Sequence, residues 1–230
     1  DSADMVLADD NFASIVAGVR EGRKSYDNIK KFVKYLLAVN FSEVFLVMFA
    51  LLFRMPLPLL PLQILWINLV TDSFPALALV FEKQENVMKS APRDEKSVLS
   101  DIWKFIIVAG SLALIVSLAV YLIGMSMNLP VELIRTMVLT TSIVFELLFV
   151  YVCRSEISLF KTGVFSNKYL NYAVLLSFVL HLGLIYSFVG GYFGVVPMSL
   201  NNWLVVLPFA FSGLVLFEGW KLFKKKGEKY

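Results

Sequence analysis

Six apolar runs of roughly 20 residues each, separated by short charged or turn-forming segments, leave this chain few ways to fold. A helix rises 1.5 Å per residue, so each run is long enough to cross about 30 Å of hydrocarbon. The runs fall at 32–53, 59–81, 103–125, 134–153, 169–189 and 203–223. Turn signals part them at Arg54-Met-Pro-Leu-Pro, Asn128-Leu-Pro and Gly190-Gly-Tyr-Phe-Gly. With 58% hydrophobic residues and a mean hydropathy of +0.74, the chain carries more apolar surface than a water-soluble core of this size hides. An all-α membrane protein with a six-helix bundle is expected.

Basic residues set the orientation. All of the 21 Lys and Arg except Arg54 and Arg135 lie before or at the start of the first run, between the second run and the start of the third, after the fourth, or at and beyond the end of the sixth. The positive-inside rule makes that side cytoplasmic, and an even number of crossings places both termini there. The basic tail Lys221, Lys224, Lys225, Lys226 and Lys229 reads as an anchor to anionic membrane lipid.

Residues 1–24 are different in character. Met5 to Ala8 suits a short strand, and Asp10 or Asn11 suits a helix N-cap. Phe12, Ile15, Val16 and Val19 repeat at helical spacing up to Gly22, where the first helix is expected to stop. A second is expected from Lys24 into the first apolar run. There is no signal-peptide pattern and no initiator Met, so the chain is expected to begin inside a larger protein.

The chemistry of the apolar runs is carried by acids. Carboxylates within a bilayer are costly and ask for a partner or a purpose. Glu43 lies deep in the first run, with Asn40 three residues earlier on the same helical face. In the second run Asn68, Thr71 and Asp72 share a face, and Glu146 lies near the middle of the fourth. Together they offer about nine oxygens, enough for Ca²⁺, which takes about 6–8 oxygen ligands. A single cysteine, Cys153, and a single histidine, His181, exclude a disulfide and a thiolate- or imidazole-rich metal site, so a hard cation is the fitting ligand. The competing reading makes the amides and hydroxyl interhelical glue. Glu218, near Lys221, reads as a paired surface residue, His181 as a packed histidine and Cys153 as a buried small hydrophobe. Pro75, just after Asp72, is expected to free carbonyls in the preceding turn, as a locally unwound helix or an ordinary proline kink.

The string Asp4-Met-Val-Leu-Ala-Asp-Asp-Asn-Phe12, then Ile15-Val16 and Glu21-Gly22-Arg23, resembles the end of the phosphorylation domain of P-type cation ATPases. Leu62-Gln-Ile-Leu-Trp-Ile-Asn-Leu-Val-Thr-Asp72 is similar to the sixth transmembrane helix of their calcium-pump branch, and MKSAPR at 88–93 to the loop after it. The resemblance implies a six-helix transport domain (25–230) behind a short cytoplasmic remnant of the phosphorylation domain (1–24). It implies Ca²⁺ as the transported ion, held by Asn40, Glu43, Asn68, Thr71, Asp72 and Glu146. A prokaryotic plasma membrane is the expected setting, with an organelle membrane as the alternative. Having both Glu43 and Asp72 resembles the sarcoplasmic/endoplasmic-reticulum-like pumps. The family's DKTGT, TGES and GDGxNDxP motifs do not occur in the chain. ATP and Mg²⁺ would therefore act only through an N-terminal half, a partner in which the catalytic residues reside, and the chain by itself is expected to be catalytically incomplete. The alternatives are the same class of pump carrying Mn²⁺, Na⁺ or H⁺, or a non-enzymatic membrane channel or interaction protein. No nucleic-acid motif is present.

Overall fold

The computed structural model describes residues 11–82 and 98–224. The expected strand at Met5 to Ala8, the segment at 88–93 and the basic residues Lys225, Lys226 and Lys229 lie outside the described residues. Among the described residues there is helix and turn but no strand, and six helices are long and apolar enough to cross a membrane.

Helix α1 (Phe12–Leu52) begins where the Asn11 side chain accepts the Ala13 N–H at 3.0 Å, an N-cap that satisfies one of the orphan donors of the first turn. It then runs 41 residues without a break. The stop expected at Gly22 is therefore corrected. A glycine inside a helix costs only about 1 kcal/mol against alanine, and the neighbours Arg20, Glu21, Arg23 and Lys24 all favour helix. A Glu21–Lys24 ion pair at 2.9 Å adds to this.

The second crossing is a composite. Helix α2 (Pro61–Trp66) starts on a proline, whose missing N–H is harmless at that position, and the Gln63 side chain accepts the Leu60 N–H at 3.0 Å. A wide π-turn follows over Ile67–Asp72, and helix α3 (Ser73–Leu79) completes the span. Pro75 sits inside α3, and the irregular turn lies ahead of it, in the turn whose carbonyls its missing N–H is expected to free.

Helices α4 (Val98–Ser126) and α5 (Val131–Arg154) are joined through Asn128, which takes φ 52°, and Pro130, the residue preceding α5. The short α6 (Leu159–Thr162) and a 3₁₀ turn lead to α7 (Lys168–Tyr186). The fifth crossing ends at Tyr186, not Val189. Ser187 is extended there and caps a 3₁₀ turn over Phe188–Phe193 by accepting the Val189 N–H. Helix α8 (Leu200–Lys224) closes the described chain.

Helix α5 is the buried axis of the bundle, while the other crossings turn broad apolar faces outward, as helices do in lipid. At one end Tyr121 donates to the Pro56 carbonyl at 2.6 Å, and Arg135 donates to the Leu57 carbonyl at 2.9 Å. At the opposite end buried polar groups tie five elements together. Arg154 is 2% exposed and donates to Glu82 Oε1 at 2.8 Å, to the Gly163 carbonyl and to Ser166 Oγ. Asn167 donates to Glu82 Oε2 at 2.7 Å and caps α7 by accepting the Leu170 N–H. From α1, Asn28 donates to the Val80 carbonyl at 2.8 Å and to that of Glu82 at 3.1 Å.

Glu218 is corrected by the same packing. It does pair with Lys221 at 2.8 Å, but it is buried, not on the surface, and also accepts the Leu159 N–H at 2.7 Å. Sequence spacing showed the lysine and not the α6 loop folded over both.

Breaking a buried ion pair strands the surviving charge, at a cost of about 3–5 kcal/mol. Arg154→Met should therefore lower the thermal stability of the detergent-solubilised protein by that amount, and Arg154→Met with Glu82→Met should recover most of it. Equal losses in the single and double variants would contradict the pairing.

Candidate cation site

The site is assembled from three crossings. On α1, positions 35, 39 and 43 share a face, so Tyr35 and Glu43 both point toward the composite second crossing. Tyr35 is held by aromatic packing, its ring stacked on Phe149 at 6.4 Å, and Phe149 in turn packs on Phe105, Phe145 and Phe217. So oriented, its hydroxyl donates to Asp72 Oδ1 at 2.9 Å. The Asn68 amide donates to Glu43 Oε2 at 2.8 Å, joining the first crossing to the second one turn further along.

Asp72, at the end of the π-turn, and Glu146, on α5, are near enough for their charges to interact. Glu43 is near enough for its charge to act on Glu146 and for that of Asp72 to act on it. All three acids are buried, at 3%, 0% and 1% exposure for Glu43, Asp72 and Glu146. Four of their oxygens have no hydrogen-bond partner: Glu43 Oε1, Asp72 Oδ2 and both oxygens of Glu146. Buried polar atoms are ordinarily paired, and orphaned anionic ones are the costliest exception.

The neutral groups complete the pattern. Asn40 donates its amide to the Leu36 carbonyl at 2.8 Å, Asn68 to that of Ile64 at 3.0 Å, and Thr71 its hydroxyl to that of Ile67 at 2.9 Å. A carbonyl accepts only a donor, so these contacts fix which end of each amide points away. The hydrogens are committed to the backbone or to Glu43, and the side-chain oxygens remain. A pocket rich in acceptors and poor in donors suits a cation.

Hydrogen bonds join Glu43 to Asn68 and Asp72 to Tyr35. Asn40 shares the face of Glu43 but bonds only along its own helix, and Thr71 is fully buried beside Asp72. Among the described residues no three His, Cys, Asp or Glu side chains stand close enough together to hold a metal ion by themselves.

Two residues of this neighbourhood were not singled out in the sequence. Tyr35 was detectable from its helical register with Glu43. Ser177, on α7, lies 3.3 Å from the Thr71 carbonyl and 3.4 Å from that of Val70, and no spacing rule connects positions so far apart. His181 is fully buried, its Nε2 3.1 Å from Thr140 Oγ1, and does not join the acids. Trp66 packs edge-on against Phe193 at 5.5 Å, and Cys153 is a free, buried thiol.

Residues 56–223 match the family described as "Cation transporting ATPase, C-terminus", a stretch that contains Asn68, Thr71, Asp72 and Glu146. The chain belongs to that family. It is 38% identical over 233 residues to a calcium-transporting ATPase of Bacillus subtilis (strain 168), covering 98% of this chain and 26% of that protein. It is 35% identical over 244 residues to calcium-transporting ATPase 1 of Bacillus cereus (strain ATCC 10987 / NRS 248), covering 97% and 28%. Over 105 residues, 45% of this chain and 10% of the relative, it is 49% identical to the endoplasmic reticulum-type calcium-transporting ATPase 3 of Arabidopsis thaliana. The chain thus spans about a quarter of the length of the bacterial relatives. As a family member with six apolar crossings it is an integral membrane protein.

Crowded, unpartnered carboxylates destabilise a bundle that holds no cation. Glu146→Gln replaces one of these charges by an amide able to donate to the free Asp72 oxygen. In chelator, thermal unfolding of the Gln variant should show about 1–3 kcal/mol of added stability, whereas a less stable variant would contradict the crowding.

Proposed function

We propose that this chain is the transport domain of a P-type ATPase that moves Ca²⁺ across a membrane, with Asn40, Glu43, Asn68, Thr71, Asp72 and Glu146 as the ion's ligands. The observation that carries this reading is the set of buried carboxylate oxygens on Glu43, Asp72 and Glu146 that no donor reaches. An all-oxygen, carboxylate-rich set fits Ca²⁺, which accepts irregular geometry at about 2.3–2.6 Å, better than Mg²⁺, which keeps its waters. That the bacterial and plant relatives are named calcium-transporting ATPases favours the same ion.

ATP and Mg²⁺ act, in this reading, through other domains of the complete pump, and the chain supplies no catalytic residue. The link between the two is α1. Its 41 residues extend ~60 Å, about twice the hydrocarbon thickness, so one end lies well outside the membrane. Four bonds tie that rod to the second crossing: Asn28 to the Val80 and Glu82 carbonyls, Tyr35 to Asp72, and Asn68 to Glu43. A tilt of α1 driven by phosphorylation elsewhere would pull on Asp72 and on the Asn68–Glu43 contact together. The ligands would part, and access would pass from one side to the other. The charge asymmetry places both termini in the cytoplasm, and the bacterial relatives favour a prokaryotic plasma membrane.

In the complete pump, Asp72→Asn should abolish formation of the Ca²⁺-dependent phosphoenzyme from ATP. Undiminished phosphorylation would remove Asp72 from the ligand set, and stimulation of wild-type ATPase by Mn²⁺ or Na⁺ but not Ca²⁺ would change the ion.

A further inference from the structure

Pro75 creates a problem that its own helix does not solve. In α-helical register an N–H at position 75 would bond the carbonyl of Thr71; in the i to i+5 register of the preceding π-turn it would bond that of Val70. Proline has no N–H, so neither bond forms. Both carbonyls lie at membrane depth, where water is not at hand to replace the donor, and freed groups there must find a partner on a neighbouring helix.

Ser177, fully buried on α7, faces these two carbonyls. Its Oγ is 3.3 Å from the Thr71 oxygen and 3.4 Å from the Val70 oxygen. We propose that the Ser177 hydroxyl stands in for the missing N–H of Pro75 and so positions the π-turn that presents Asp72 to the cation. Ser177 is a positioning residue, since it reaches the ion only through the backbone of the residues beside Asp72.

A second contact one turn along α7 supports the arrangement. The Thr140 hydroxyl donates to the Thr136 carbonyl at 2.7 Å, which commits its hydrogen. His181 Nε2, 3.1 Å from Thr140 Oγ1, must therefore carry the proton and donate it. That bond docks α7 on α5, the helix of Glu146. From one face, then, α7 grips the broken backbone beside Asp72 through Ser177 and the Glu146 helix through His181. The two acids from different crossings are held in register by a helix that contributes no ligand.

The proposal rests on the transport reading, and the test separates their failures. In the complete pump, the Ca²⁺ concentration giving half-maximal phosphoenzyme is measured for Ser177→Ala, Pro75→Ala and the double variant, with Asp72→Asn alongside. Ser177→Ala should raise that concentration about tenfold, the scale of one buried hydrogen bond, while the maximal phosphoenzyme level is kept. Ser177→Thr, which keeps the hydroxyl, should recover most of the affinity. In the Pro75→Ala background the backbone has its own donor, and removing the hydroxyl should then cost less than about twofold. An unchanged Ca²⁺ dependence in Ser177→Ala, or an equal loss in both backgrounds, would overturn the proposal while leaving Asp72 as a ligand. Intact Ca²⁺ dependence in Asp72→Asn would overturn both. If Ser177→Ala does not reach the membrane intact, Ser177→Cys, which keeps the volume and only a weak donor, is read by the same criteria.

Discussion

Carboxylates held away from water with too few hydrogen-bond donors are costly, and this bundle buries three of them, four of whose oxygens have no donor. The surrounding structure can be understood as what holds them there. The aromatic stack of Phe105, Phe145, Phe149 and Phe217 fixes the Tyr35 ring so that one donor reaches Asp72. Asn68 serves Glu43. Helix α5, the most enclosed crossing, gives Glu146 no hydrogen-bond partner at either oxygen. A fold selected only for stability would fill this space with leucine, since replacing buried charges by apolar groups of similar volume is often neutral or stabilising. Retaining the acids points to a ligand that repays their desolvation.

The second crossing shows how local irregularity and long-range packing cooperate. The π-turn and Pro75 take the backbone out of simple helical register where Asp72 must turn inward, and the carbonyls so freed are met from α7. At the end of that crossing, Glu82 is gripped by Arg154 and Asn167 while Asn28 holds the adjoining carbonyls from α1. One end of the crossing is thus anchored to α5 and α7 and also tied to the long rod of α1.

Much of this was legible in the residues. Six apolar runs with basic flanks define a six-helix membrane bundle, because hydrocarbon thickness leaves no other use for runs of that length. The i, i+3 and i, i+4 spacings of Asn40 with Glu43, and of Asn68, Thr71 and Asp72, put each set on one face before any fold was known. Other features depended on contacts between distant positions. Ser177 reads as one polar residue in an apolar run until its helix is seen against Pro75. Glu218 was taken for a surface residue because the α6 loop that covers it leaves no periodic signal. Gly22 was read as a stop, yet a glycine among strong helix formers is overridden by its neighbours. The irregular turn ahead of Pro75 is legible in the proline, which frees carbonyls in the turn before it, whereas Ser177 as their partner is not.

The central claim is that Glu43, Asp72 and Glu146 converge on one cation with their amide and hydroxyl neighbours. Anomalous diffraction from crystals of the complete pump grown in Ca²⁺ addresses it most directly. Density is expected between these three acids, with carboxylate oxygens of each at about 2.3–2.6 Å. Calcium density confined to other positions, with the three acids turned from one another, would contradict it.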